Sequence, residues 1–336
     1  MATEAREIFE ANSKSVRDLL CENGLGLYIP AYQRPFGWDK DKVNKLVFDT
    51  FHGFSELCRS EESFTFLGTV ITIHDVNYST VQPGLRPDVP AKLLNVIDGQ
   101  QRLTTLLIFC IALHNQIRTL HDKYFKGKKE EDYEEYEFWL ENVSKGVLGE
   151  LESTFIERRK TGDSPMYPRM IRSFDDQWSM KKLYAKYKSP IAHLIFEYAL
   201  ILEDLKLKEF KAVKRSENIE GDDALCDRFS QISKILKSLG NLEEEDDEFE
   251  DLPTLKKIAH MPGFQRALIN HDFPDEVKAK LISDGQPPPY SAMLRLILVA
   301  NYLLSRVALT VVRGKNEDYA FTIFESLNTT GEPLTA

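Results

Sequence analysis

The stretch Leu93-Leu94-Asn95-Val96-Ile97-Asp98-Gly99-Gln100-Gln101-Arg102-Leu103-Thr104-Thr105-Leu106-Leu107-Ile108-Phe109 changes its period in the middle, and that change decides the fold. Leu93, Leu94, Val96 and Ile97 form a short apolar run, the pattern of a buried strand. Asp98-Gly99 ends the run, because glycine tolerates the backbone angles of a sharp reversal. Beyond it, Leu103, Leu106, Leu107, Cys110, Leu113 and Ile117 recur at spacings of three and four and predict one apolar helix face. Asp98, Gln100, Gln101 and Arg102 therefore crowd a strand-to-helix turn. Such turns gather ligand-binding groups in α/β proteins, since helix-N-terminal amides point outward and favour anions. A plain turn with Asp98 as N-cap accounts for Asp98-Gly99 alone. Four polar residues in five positions between two apolar segments read as a site.

Upstream, Phe64 to Ile73, centred on Leu67-Gly68-Thr69-Val70-Ile71, predicts a second buried strand that pairs with residues 93 to 97. Asn77 to Pro90, with Pro83, Gly84, Pro87 and Pro90, is the hairpin-like connection between them. Asp39 caps a predicted helix whose apolar positions are Val43, Leu46, Val47, Thr50, Phe51, Phe54 and Leu57. Leu27 to Trp38 holds two prolines and four aromatics, so it predicts a stiff, extended loop. That loop fixes Gln33 and Arg34 between Tyr32 and Phe36. Two readings stay open for it. It is a packed loop filling a core edge, or a preorganised ligand wall with arginine for a phosphate oxygen and an aromatic for a base. Ser13 to Asn23 predicts a short helix with Val16, Leu19 and Leu20 inward, ended by Gly24 and Gly26.

Downstream, residues 130 to 305 turn helical. Tyr136, Trp139, Leu140, Val143 and Leu148 suggest one helix, Ile191 to Phe210 a longer one, 224 to 239 another, and Tyr290 to Leu304 a strongly apolar one. Ala308 to Val312 reverts to strand character, and Asp318 to Leu327 is a short helix ending at the turn Asn328-Thr329-Thr330-Gly331. The fold class expected is α+β. A small α/β unit spans 1–126, a mainly helical region with acidic loops spans 127–305, and a strand and helix at 306–336 return to the first unit.

Composition narrows the function classes. Hydrophobic residues at 42% and charged residues at 29% predict a packed soluble protein. No apolar run reaches the length of a membrane span, and Met1 to Glu10 carries acids rather than a signal-peptide pattern. Cys21, Cys58, Cys110 and Cys226 lie far apart without a Cys-x-x-Cys pair, so free core thiols in a reducing cytoplasm are expected. The net charge of −10 is local. Gly127 to Glu150 has eight acids against three lysines, and Asn241 to Asp251 has eight acids and no base, so the rest of the chain is net basic. A basic binding face thus remains open, and the acidic run Glu243 to Glu248 reads as a solvated loop. His193, His260 and His271 are isolated and suggest no ligand set. The usual phosphate loop is lacking too, since neither Gly127-Lys128 nor Gly314-Lys315 has a glycine five positions earlier.

Three long motifs stand in order along the chain. They are Ile29-Pro30-Ala31-Tyr32-Gln33-Arg34-Pro35-Phe36-Gly37-Trp38, Asp98-Gly99-Gln100-Gln101-Arg102-Leu103-Thr104-Thr105, and Phe324-Glu325-Ser326-Leu327-Asn328-Thr329-Thr330-Gly331. Phe66-Leu67-Gly68-Thr69 lies between the first two. Together they resemble the N-terminal domain of GmrSD-type, modification-dependent restriction proteins, a domain shared by the phosphorothioate-sensing SspE proteins. The resemblance runs from about Ser13 to the end, more weakly in the helical middle. It implies a ParB/sulfiredoxin-like α/β fold, a nucleotide-hydrolysing site and a role in defence against foreign DNA. By position, Asp98, Gln101 and Arg102 are the implied catalytic turn. Tyr32, Gln33, Arg34, Gly99, Gln100, Thr104 and Asn328 are the implied nucleotide contacts.

Two departures accompany the resemblance. Thr330 stands where the family commonly has arginine before the glycine, which removes one phosphate contact. Related full-length proteins carry a C-terminal His-Asn-His nuclease. This chain reaches Ala336 just after the last motif, so cutting is expected from a further domain or a partner chain. Phosphoryl transfer needs mostly positioning and charge neutralisation. Asp98 is the expected ligand of Mg²⁺ or another divalent cation, or the orienter of water, while Arg34 and Arg102 meet phosphate oxygens. The alternative is a module that binds modified DNA or a partner through Gln33, Arg34 and the aromatics without turnover.

Overall fold

The computed structural model describes residues 9–76, 90–158, 166–172, 176, 178, 187–204, 209–240, 249, 251–283 and 286–330. The chain begins with β1 (Phe9–Ser15), α1 (Val16–Leu20), β2 (Leu25–Ile29), α2 (Lys40–Glu56), β3 (Thr65–His74), β4 (Lys92–Asp98) and α3 (Gln100–Phe125). It continues through α4 (Glu135–Phe155), the short strands β5 (Ile156–Arg158), β6 (Met166–Pro168) and β7 (Met170–Arg172), then α5 (Pro190–Glu203) and α6 (Asp222–Gly240). Three short helices follow, α7 (Leu255–Ala259), α8 (Pro262–Ile269) and α9 (Asp275–Ile282). The last elements are α10 (Ser291–Arg306), β8 (Val307–Gly314) and α11 (Glu317–Thr330).

Six strands form one mixed sheet in the order β1-β8-β3-β4-β2-β7. The expected pair forms: β3 runs antiparallel to β4, with Thr72 opposite Val96 and His74 opposite Leu94. The connection expected over Asn77 to Pro90 lies outside the described residues except for Pro90. The late strand rejoins the early sheet, as β8 lies parallel to β3 and antiparallel to β1. The structure is thus a mixed α and β fold in which β7, from within the helical stretch, supplies an edge strand.

Several elements differ from the sequence expectation. Leu25 to Ile29 is a strand that takes in Leu27, Tyr28 and Ile29 of the expected loop, and all five residues are buried. It lies parallel to both β4 and β7. A strand covered on both faces shows no alternation, which hides its period. Pro30, which has no N–H to donate, follows directly after it. The helix expected at Ser13 to Asn23 shrinks to Val16–Leu20, where Ser15 and Asp18 form a capping box. The residues before it form β1, which is polar and exposed and so carries no apolar signal. The helix expected to reach Phe210 ends at Glu203. The last helix runs on through Thr330, so Asn328 lies in its final turn rather than in a loop. The acidic run Glu243 to Glu248 lies outside the described residues.

α3 is the axis of the molecule. It is buried continuously from Leu103 to Ile117, more than one amphipathic face requires. It is long and apolar enough to cross a membrane, which the sequence reading did not anticipate, yet 83% of its apolar window is buried inside the protein. That is the behaviour of a core helix. Its apolar residues join those of α2, α4, α6, α10 and the sheet in one continuous cluster. A second, small cluster covers the other sheet face, where Ala320, Ile323 and Phe324 of α11 pack on Ile71, Ile73 and Ile97.

Candidate functional site

The turn after β4 is built around Gly99, whose φ is +91°. A side chain there would also bring Cβ within 2.9 Å of Val70 Cγ2, so backbone angle and space both demand glycine. Gly99, not Asp98, is the N-cap of α3, and no side chain caps the helix. The first amides of a 26-residue helix are thus left to whatever enters the turn. Such amides carry partial positive charge and suit an anion.

Arg102 extends from the first turn of α3 across β3. Its Nη1 donates to the carbonyl of Thr69 at 2.7 Å. The guanidinium lies over Gly68, where an added Cβ would sit 3.5 Å from Cζ. Gly68 has φ +85° and lies where β3 slips by one residue against β8, between Phe66 and Thr69. This bulge makes the flat seat for Arg102. Burial pulls the Arg102 pKa below the ordinary arginine value, and the Asp98 charge opposes that shift. The guanidinium stays charged throughout.

The first motif is locked onto the second. Gln33 Nε2 donates to the carbonyl of Ile97 at 2.7 Å, and Gln33 Oε1 accepts from Gln100 Nε2 at 3.1 Å. Gln101 grips the loop at two further points, accepting from the amide of Gly37 at 2.9 Å and donating to the carbonyl of Pro35 at 2.9 Å. Both glutamines of the turn are therefore buried and engaged with the loop. Arg34, next to Gln33, is exposed, and no hydrogen bond or ion pair engages it among the described residues. Tyr32, at 61% exposure, flanks it. Phe66, on the strand that seats Arg102, is 54% exposed, and Phe64, just before that strand, is 63% exposed.

The structure brings Asp98, Gly99, Gln100, Gln101, Arg102 and Gln33 into direct proximity, with Arg34 and Tyr32 on the same loop as Gln33. Thr104 is set apart from the open turn. It is buried, and its hydroxyl faces Met170 Sδ at 3.7 Å. α11 returns over the sheet face that leads to Asp98. Gly314 pairs with Ile73, Ala320 packs on Gly314, and Phe324 joins the cluster that contains Ile97. Asn328 follows one helical turn after Phe324, and its side chain lies outside the described residues. Among the described residues no group of three or more His, Cys, Asp or Glu comes together to hold a metal.

The sequence reading missed Arg172. Its Nη2 donates to the carbonyl of Gln33 at 2.5 Å and ties β7 to the first motif. Gly221 was missed too, with φ +87° and an imagined Cβ 3.2 Å from the backbone of Phe36. It presses on the loop from the helical region. A three-residue strand and a lone glycine leave little periodic signal. The Met-Ile-Arg sequence at 170–172, apolar before a cation, was the one available hint.

The family model described as GmrSD restriction endonuclease, N-terminal domain, matches residues 16–336. The match covers nearly the whole chain, and the protein belongs to this family. A comparison with curated proteins finds no match.

Proposed function

We propose that this member of the GmrSD N-terminal family is the nucleotide-hydrolysing, regulatory part of a modification-dependent DNA restriction protein. The observation that carries the reading is the interlock of the two motifs. Gln33 is tied to Ile97 and Gln100 beside an uncapped helix N-terminus, with Arg102 seated alongside. The triphosphate of a nucleotide would lie against the α3 amides. Arg102 and Arg34 would neutralise charge developing on the transferred phosphoryl group, which is most of what such a reaction requires.

Asp98 is the group for water or cation. A divalent ion such as Mg²⁺ would take Asp98 as its one carboxylate ligand, with waters and substrate phosphates completing its shell. The ion would supply charge neutralisation on the phosphates. Gln101, whose amide is engaged at both ends, would position the loop rather than touch the reacting atoms. The product of the cycle would be a signal to a His-Asn-His nuclease on another domain or chain.

A second reading has its own observation. The exposed rings of Tyr32, Phe64 and Phe66 and the exposed Arg34 suit stacking and phosphate contact with modified DNA without turnover. Phosphate release measured over a panel of nucleotides, with and without Mg²⁺ and modified DNA, separates the two. The hydrolytic reading expects metal-dependent release with a nucleotide preference. Binding without release under every condition would favour the second reading.

A further inference from the structure

The other end of β4 carries a separate charged corner. Lys92 opens the strand that Asp98 closes, and seven residues of strand put roughly 20 Å between them. Three cations from three strands converge there on one carboxylate. Lys14 Nζ of β1 lies 2.6 Å from Glu22, Lys92 Nζ of β4 pairs with its other oxygen, and Arg313 Nη2 of β8 lies 3.8 Å away. They border an open pocket of about 560 Å³.

Charge counting gives this corner a sign. Burial works to raise the Glu22 pKa, but the Lys14 and Lys92 contacts outweigh it and hold the carboxyl down to about 2. Glu22 is therefore ionised at any working pH and offsets one of the three cations. Of the other charged groups on the wall, Arg17 is offset by Glu150 at 2.6 Å, and Asp18, which caps α1 through Ser15, offsets a second cation, so an excess of one positive charge is left. The wall stays net positive in a chain whose total is −10. His74 nearby has its charged form disfavoured first by burial and then by Lys92 and Arg313, against the smaller opposing pull of Asp75 and Glu22.

The cations are also held in place. The Lys14, Lys92 and Arg313 side chains are only 20%, 24% and 21% exposed, so little rotamer freedom is left to lose on binding. We propose that this corner is a phosphate-binding site for the backbone of a nucleic-acid strand, with Lys14, Lys92 and Arg313 as its contacts and Glu22 as the post that converges them. A wide, charged opening suits phosphates of a polymer, whereas a small-molecule site would enclose its ligand in mostly apolar walls. This inference stands apart from the hydrolytic site, because Lys92 and Asp98 are separated by the length of β4.

The test is binding of the full chain to a short fluorescein-labelled DNA duplex over a salt series. Replacing Lys14 and Lys92 together by Gln is expected to reduce the slope of log affinity against log salt by about 2, since each phosphate contact contributes about 0.9. Lys45→Gln with Lys145→Gln, a matched loss of two exposed charges on α2 and α4, is expected to leave the slope unchanged. Glu22→Gln removes the competing carboxylate and is expected to tighten DNA binding several-fold. Should the double variant fail to fold, Lys92→Gln alone is read, with an expected change in slope of about 1. An unchanged slope in the folded Lys variant, or equal loss in the matched control, overturns the proposal. So does inorganic phosphate binding that needs Lys92 while DNA binding does not, because the corner would then serve a free anion.

Discussion

Arg102 and Arg34 reach the candidate site in opposite ways. The first lies over Gly68 and donates to Thr69, while the second is exposed on the clamped loop. If both act on one phosphoryl charge, their losses cannot add. Arg34→Ala and Arg102→Ala should each lower kcat/KM for the hydrolysed nucleotide, and the double variant should lose clearly less than the product of the two. A double-mutant cycle measures this directly, and strict additivity would place the two arginines on different ligands. Gly99 shows how far single residues were legible. Its turn role was readable from Asp98-Gly99, but the contact with Val70 and the N-cap position were not, because both depend on how β3 lies beside β4. Arg172 was opaque for the same reason. Nothing in its local sequence marks its bond to Gln33.

At the scale of elements, the first motif is a loop held by side chains rather than by its own backbone. Gln101→Ala removes the bonds to Gly37 and Pro35 and should cost about 1–3 kcal/mol. Exchange of the Gly37 amide should speed up in the same variant, and unchanged protection would mean that the prolines alone hold the loop. A second expectation concerns the entry to α5. Asp176 is buried and accepts from the amides of Lys188 and Ser189, and burial, outweighing these bonds, raises its carboxyl from 3.8 to about 6. Between those values the folded chain keeps a proton that the unfolded chain releases. Its contribution to stability is therefore full below pH 3.8 and is lost as the pH rises to about 6. Melting temperatures of wild type and Asp176→Asn across that window should diverge accordingly, and a constant difference would contradict the assignment. α2 was legible because one face of it is buried, and α10 because its long apolar run is buried continuously from Met293 to Leu304. β1, β2 and β7 were not: one is polar at an edge, one is buried on both faces and one is three residues long.

Over the whole molecule, the candidate site joins segments far apart in sequence. β8 and α11 return to the sheet that carries Asp98, and Phe324 packs in the cluster that holds Ile97. That return was legible from the apolar Ala308 to Val312 run, whereas the order of the six strands was not, since strand pairing across long connections leaves no local trace. The central claim is that the Asp98 turn performs chemistry on a phosphate. Asp98 does not cap α3, so Asp98→Ala should leave the stability within about 1 kcal/mol of the wild type. The most direct measurement is therefore phosphate release by wild type and Asp98→Ala, each with its melting temperature. The account predicts metal-dependent release by the wild type and a fall of about 10²–10⁴-fold in an equally stable variant. Equal turnover in the two proteins, or a variant that unfolds, would show that the turn is structural.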